Sequence, residues 1–505
     1  MKTTMRSFRV AAVLGALVYA TPAWAQDIDN AVRAYNDDNF ADAAYLFFDV
    51  AQNTDDVDDR YRAEYYLGHS LYRAGYLLPA FQFYGEVFNQ GEEHPYFLRA
   101  TRGLLRVAEG LQDDLIVPEV INRGYTGSFA QLEAEDLNAI NYMIGLLTER
   151  QADLQAASDF FRAITDESSP YYKKAQYHLA IIQVQVAIQQ GQADYSEAIT
   201  IFTRLQEVTK GSLEEEDKKL YRLATLGKAR AFYSQGDFER SIESYEQVTR
   251  FSDDWFESLA ERGWSYFQAA QFGNALGAVH SVHAPYFDDR LRPESFVLKA
   301  TTYFQVCHFD RVRKTLDDFF AVYEPVNDEL KTWLENQTGD EEVVRVLADG
   351  ASNFPEEVRL RVTGNKKFSR YLGILEQVDA ELAEAEENFP DGNFKGILVT
   401  LLQDQRAQWE ALTGRLGLQL INNQYVGVDD FLNQARIIQF ETSDAERKML
   451  EAGKDITKGP RAKGPRPFVP NATYQYWAFQ GEYWIDELGY YQHSIKDECI
   501  PEVFE

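Results

Sequence analysis

Between Lys228 and Ala284, small, aromatic and polar positions recur twice in the same order. Ala229 and Gly263 stand 34 residues apart, and each is followed three or four places later by an aromatic pair, Phe232-Tyr233 and Tyr266-Phe267. A turn with an aromatic exit comes next (Gly236-Asp237-Phe238; Ala270-Gln271-Phe272), then a second helix with a small residue, Ser241 or Ala275. The spacing predicts two amphipathic helices per unit, and a fixed period in the thirties built this way marks a solenoid of helical hairpins. One hairpin cannot bury its apolar face alone, so neighbours must stack into a continuous core. The predicted class is all-α: an α/α solenoid (superhelix), then a coiled-coil-like helical hairpin and a small aromatic C-terminal tail.

The pattern extends outward from this pair. Gly68, Ala80, Tyr84 and Val87 repeat it behind Leu67, with Pro95 a little late; Gly145, Ala157, Phe161, Ile164 and Pro170 repeat it again. Gly263, Ala275 and Pro285 fit with Val279 in the aromatic slot, Ala31, Ala43 and Phe47 make an earlier copy, and Ala300, Phe309, Leu316 and Pro325 a weaker late one. Ala180, Ala198 and Phe202 fit once extra residues are placed near 189–193, and the stretch 96–135 is degenerate. These residues resemble the tetratricopeptide repeat (TPR) family, with seven readable repeats plus one degenerate unit over 26–325. The resemblance implies that first helices line a concave wall. It puts on that wall Tyr35, Tyr72, Glu149, Val184, Tyr233, Phe267 and Phe304, with Tyr65, His69, Arg73, Arg230 and Trp264 around them. Rigid aromatics with occasional Arg suit a partner-binding groove; the same rings also suit packing between helices.

Beyond Pro325 the period changes, and residues 326–453 read as long helices. Phe368, Tyr371, Leu375, Val378 and Leu382 form a heptad seam that ends at Phe389-Pro390-Asp391-Gly392. A returning face follows (Leu398, Leu402, Trp409, Leu412, Leu416), then a predicted break at Asn422–Gly427, then Phe431, Ala435, Ile438, Thr442, Ala445 and Met449. The antiparallel hairpin expected over 357–450 is either a docking arm or a cap on the last repeat. Residues 454–470 form a basic Pro/Gly linker. The segment 471–505 is crowded with aromatics, which need a partner surface. Trp477, Phe479, Tyr483 and Trp484 are the expected tail-docking residues, folded with Leu488 onto the helical hairpin or the solenoid end. The run from Tyr476 to Tyr491, of form YWxFxGEYWxDELGYY, resembles the C-terminal segment of exported TPR proteins from gliding and predatory proteobacteria. That resemblance implies a cell-envelope component, with motility as one context.

Residues 1–25 read as a signal peptide: Lys2, Arg6 and Arg9, then an apolar core Val10–Ala20, then Ala23-Trp24-Ala25. The expected localisation is periplasmic, without a lipid anchor. A net charge of −30 argues against nucleic acid as partner and against an anionic membrane surface; it suits a solvated surface or a basic partner. No nucleotide, hydrolase or zinc-protease motif is present, so the reading is no enzyme, no cofactor and no metal. His280, His283, Cys307 and His308 fail as a metal cluster, because helical rise separates the pairs by about 12 Å. Cys307 and Cys499 can pair in an oxidising compartment. Two functions remain open: a periplasmic scaffold that binds proteins of an envelope assembly, and a carrier or sensor that stacks a peptide or glycan on the groove aromatics.

Overall fold

The computed structural model describes residues 28–288, 290–337, 339–451 and 481–499. The N-terminal segment read as a signal peptide, the basic linker, Trp477 and Phe479 lie outside the described residues. The helices pair along the chain as α1 (Ile28–Asn36) with α2 (Phe40–Asn53) and α3 (Val57–Arg73) with α4 (Leu77–Asn89), followed by α5 (Phe97–Leu111) and α6 (Ile116–Arg123). They continue with α7 (Ala134–Arg150) and α8 (Leu154–Arg162), α9 (Tyr172–Gln189) and α10 (Ser196–Thr209), and α11 (Glu215–Gln235) and α12 (Phe238–Tyr245). Next come α13 (Trp255–Gln268) and α14 (Phe272–Val282), then α15 (Pro293–Gln305) and α16 (Phe309–Asn336). Four more helices follow: α17 (Asp340–Asp349), α18 (Glu356–Thr363), α19 (Lys366–Asn388) and α20 (Asn393–Glu451). The fold is an α/α solenoid of helical hairpins, and no strand occurs among the described residues.

Glycine–aromatic packing sets the repeat. A Cβ on Gly145 of α7 would lie 2.6 Å from the ring of Phe161 on α8. Gly227 of α11 lies equally tight under Phe202 of the preceding hairpin, two positions before the small residue, Ala229, that the sequence picks out. Phe161 and Phe202 are fully buried, so each ring fills the seam between helices that only a bare backbone can approach.

The chain forms two compact units. The first comprises residues up to Val107 together with Ala383–Leu401. In it the turn of the long hairpin lies on the first two repeats: Phe394 packs against Phe48 (4.9 Å), Phe389 against Tyr76 (5.3 Å), and the Asn388 amide donates to the Tyr76 hydroxyl at 3.1 Å.

The second unit holds Ala108–Leu382 and the chain from Leu402 onward. Here α16 runs through Pro325 without ending, although Pro325 reads in sequence as the close of the last repeat. Tyr323, Asn327 and Leu330 on either side are buried, and that packing holds the helix across the lost hydrogen bond. The break expected at Asn422–Gly427 is likewise absent, because α20 is one helix of 59 residues. Gly427 costs a helix about 1 kcal/mol, while its neighbours Ile421 and Val428 are buried against other helices. The hairpin is therefore unequal, with a first arm of 23 residues that starts at Lys366 rather than 357. The distal part of α20 (Val428, Leu432, Ala435) covers Val312, Leu316 and Phe319 of α16.

Candidate interaction surface

In the first unit, α3 carries Tyr61, Tyr65, His69 and Tyr72 at intervals of four, four and three, which places them on one helix face. Asp56 fixes the start of that helix by accepting from the Asp58 and Asp59 amides. The rings meet in sequence: Tyr35 stacks on His69 (5.7 Å), Tyr65 on His69 (5.6 Å), His69 on Tyr72 (6.4 Å), and Tyr65 on Tyr96 (5.0 Å). His69 shares a 2.8 Å hydrogen bond with the Tyr84 hydroxyl. Burial, then the Arg73 guanidinium, holds the His69 imidazole below its ordinary pKa, so the ring is neutral and stacks without a charge to solvate. Burial also pushes the Tyr65 phenol up to about 12.

Tyr35 and Tyr72 are half-buried, and Arg73 is exposed over the Phe40 ring (4.3 Å). Tyr65 is buried and supports the stack rather than lining an open wall. Tyr66, Tyr84 and Tyr96 complete the cluster. Only the four-residue spacing along α3 could have signalled it from sequence, because Tyr96 lies between helices.

In the second unit the same helix positions are half-buried too: Glu149, Val184, Tyr233, Phe267 and Phe304. Their surroundings differ. Arg230 binds Glu261 bidentately, Nε to Oε2 at 2.8 Å and Nη2 to Oε1 at 2.7 Å, and the Tyr245 hydroxyl donates to the same carboxylate at 2.8 Å. The Trp264 indole donates to Glu294 at 2.8 Å, and burial pushes that carboxyl above its usual range. Glu149 meets His178 Nδ1 at 2.7 Å. Tyr233 packs on Phe238 (5.5 Å), Phe267 on Phe272 (5.7 Å) and Phe304 on Phe309 (6.0 Å). Val184 packs among the apolar residues of α9 and α10. Arg230 and Trp264, expected as groove anchors, are already engaged by the next repeat.

Among the described residues 481–499 the tail holds no strand: it turns at 485–489, runs along α14, and ends on the last hairpin, where Ile495 packs against the apolar cluster shared by α15, α16 and α20. Leu488 is buried among Trp255, Phe256, Leu259, Val282 and Phe287. The Gly489 amide donates to Ser281 Oγ (2.9 Å), Arg262 donates to the Gly489 carbonyl (2.7 Å), and the His493 amide donates to the Gly273 carbonyl (2.9 Å).

Gly273, Gly277 and Ser281 recur every four residues, so one face of α14 is nearly free of side chains. A Cβ on Gly277 would collide with the Tyr491 carbonyl oxygen. Farther along, the Glu498 amide donates to the Val306 carbonyl (3.1 Å), and Cys499 is disulfide-bonded to Cys307. The G-x-x-x-G-x-x-x-S spacing was the legible signal for this seat. Tyr483 stacks on His280 at 4.3 Å while remaining partly exposed, and Trp484 is exposed. Among the described tail residues Leu488, not Trp484, is the buried anchor.

Among the described residues, no group of three or more His, Cys, Asp or Glu side chains could hold a metal, and no helix is long and apolar enough to cross a membrane.

No family model and no curated protein matches the chain. Among solved structures, the chain is similar to one described as an APC/C hetero-tetramer, Cut9–Hcn1, with 10% identity over 80% of this chain and 95% of that one, at a TM-score of 0.22. It is also similar to a circular tandem repeat protein with novel repeat topology and enhanced subunit contact surfaces, with 12% identity over 84% and 89% of the two chains, at a TM-score of 0.13. The helical-hairpin repeat is visible in the chain's own packing of Gly145 under Phe161 and Gly227 under Phe202.

Proposed function

We propose that the protein is an exported, non-catalytic scaffold that binds a protein partner through the ring stack of its first repeats, within a cell-envelope assembly. The observation that carries this reading is the run Tyr35, His69, Tyr72 with Arg73, where half-buried rings and an exposed guanidinium share one edge. Such a surface offers large rigid contact area at low entropic cost, and Arg73, paired with Asp38 at 3.7 Å and lying over Phe40, holds its edge in place. Export to an oxidising compartment is supported by the Cys307–Cys499 bond and by the N-terminal segment. Motility remains the context suggested by the tail motif.

The test is affinity capture from a cell-envelope extract by the full chain, beside the variant Tyr35→Ala/Tyr72→Ala and a form ending at Lys454. Defined envelope proteins recovered by the full chain and the truncation, but not by the Tyr variant, support the reading. Recovery that survives loss of both tyrosines overturns the ring stack as the binding site. If no form captures protein while a glycan or peptide fragment co-purifies, the carrier reading replaces the scaffold.

A further inference from the structure

The docked tail and the loops beneath it build a second face that neither makes alone. Arg250 is its centre: the guanidinium lies over Phe251 (5.0 Å), Trp255 (5.6 Å) and Tyr490 of the tail (5.0 Å). The same Arg250 Nη2 donates to the Ile485 and Asp486 carbonyls, each at 3.0 Å. Phe251 meets Tyr286 edge-on at 5.6 Å. Although these groups are locked together from below, their upper faces remain in solvent. Phe251 is 47% exposed, Tyr286 49%, Trp484 54%, Ile485 58% and Tyr490 68%.

Large apolar side chains gathered in one exposed place mark interaction sites on a folded protein. Phe251 also holds a left-handed backbone conformation, φ 61°, a region that costs an aromatic residue energy and is concentrated at functional positions. Asp253, Asp486 and Glu487, all exposed, lie in the same two chain segments as Phe251, Ile485 and Tyr490, and the Asp486 backbone sits at Arg250. Aromatic faces and carboxylates together favour one kind of occupant. Cations bind to ring faces and pair with the acids, while aliphatic stems cover Ile485 and Trp484.

We propose that this composite face docks a cationic, aliphatic-bearing segment of a partner protein. It is independent of the ring stack in the first repeats, because it uses none of those residues and exists only while the tail is seated. The tail thus acts as half of a binding site, and the Cys307–Cys499 bond keeps that half in place.

The experiment titrates the full chain with a short peptide alternating Arg with Leu and Gly, and with its charge-inverted copy carrying Glu for Arg. The expected result is binding of the basic peptide only, weakened about tenfold or more (~1.4 kcal/mol) by Trp484→Ala/Tyr490→Ala. Asp486→Asn/Glu487→Gln, which leaves the rings untouched, weakens it in a salt-dependent way. Cys307→Ser/Cys499→Ser weakens it without altering any residue of the face, and Tyr72→Ala leaves it unchanged. Thermal unfolding of each variant confirms that the helices persist.

Equal binding of both peptides, binding that survives the Trp484/Tyr490 change, or a loss produced by Tyr72→Ala overturns the proposal. A last arm replaces Lys454, Lys458, Arg461, Lys463 and Arg466 with Gln. Affinity raised tenfold by that change would make the chain's own basic stretch the occupant and overturn a partner in trans.

Discussion

The first-helix positions of the two units carry the same kinds of residue and meet different fates. In the first unit, Tyr35, Tyr65, His69 and Tyr72 find other rings, and a neutral imidazole stacks between phenols. In the second, Arg230, Trp264 and Glu149 find carboxylates or an imidazole on the next repeat. A side chain paired with its neighbour resists rotation of one hairpin against the next. A ring stacked with one edge in water keeps that edge for another molecule. Equal repeat position is therefore not equal function; the neighbouring helix decides. The tail adds to the contrast, because in the second unit its backbone lies on the bare Gly273–Gly277 face of α14.

A large effect is expected from breaking that occupancy. Gly277→Val would drive a side chain into the Tyr491 carbonyl and unseat Leu488. The loss is about 2–4 kcal/mol of docking, one leucine burial plus its backbone hydrogen bonds. Hydrogen exchange should show protection lost at the Gly489 and His493 amides, with faster proteolysis after Gly481. Retained protection there would mean the seat is not made by the bare α14 face.

Acid should act next, most strongly in the second unit through His283. Burial, with Lys299, Arg292 and His280 adding repulsion, lowers the His283 pKa from 6.5 to about 3. The unfolded chain accepts a proton near pH 6.5 that the folded chain refuses until about pH 3. Stability is thus full above the higher value and falls as pH drops through it, by about 1.4 kcal/mol per pH unit in the window. His283→Gln, which keeps a partner for the Ser295 hydroxyl that lies 2.7 Å from His283 Nε2, should flatten that slope in denaturant titrations at stepped pH.

A smaller effect is expected from Glu261→Ala, which removes the acceptor for both Arg230 and Tyr245. The cost is about 1–2 kcal/mol, and combining it with Tyr245→Phe should recover part of that, since the phenol no longer lacks an acceptor. Tyr72→Ala in the first unit should stay within about 0.5 kcal/mol of the parent, while the captured partner is lost. If Tyr72→Ala proves as destabilising as Glu261→Ala, the contrast between the units fails.

Much of the architecture was legible because it rests on short-range periodicity. Gly145 with Phe161 follows from the repeat period and helix geometry, since a ring and a bare backbone at those offsets must meet. The fate of the candidate site was less legible. Arg230 could be read as a cation on a first helix, but its partner Glu261 stands 31 residues on, and any acid in that repeat would have looked equivalent. The uninterrupted α20 was misread for a related reason: Asn and Gly near 422–427 weaken a free helix, yet burial of Ile421 and Val428 outweighs the penalty.

By itself the sequence determined the repeating helices, the small-residue seams and the aromatic crowding of the tail, because local spacing alone sets which residues share a face. Only the tertiary structure decided that the tail seats on α14, that Cys307 meets Cys499, and that the anchors of the second unit bind carboxylates while those of the first stack on rings. Those outcomes depend on contacts between residues far apart in the chain, whose desolvation and packing energies no local pattern encodes.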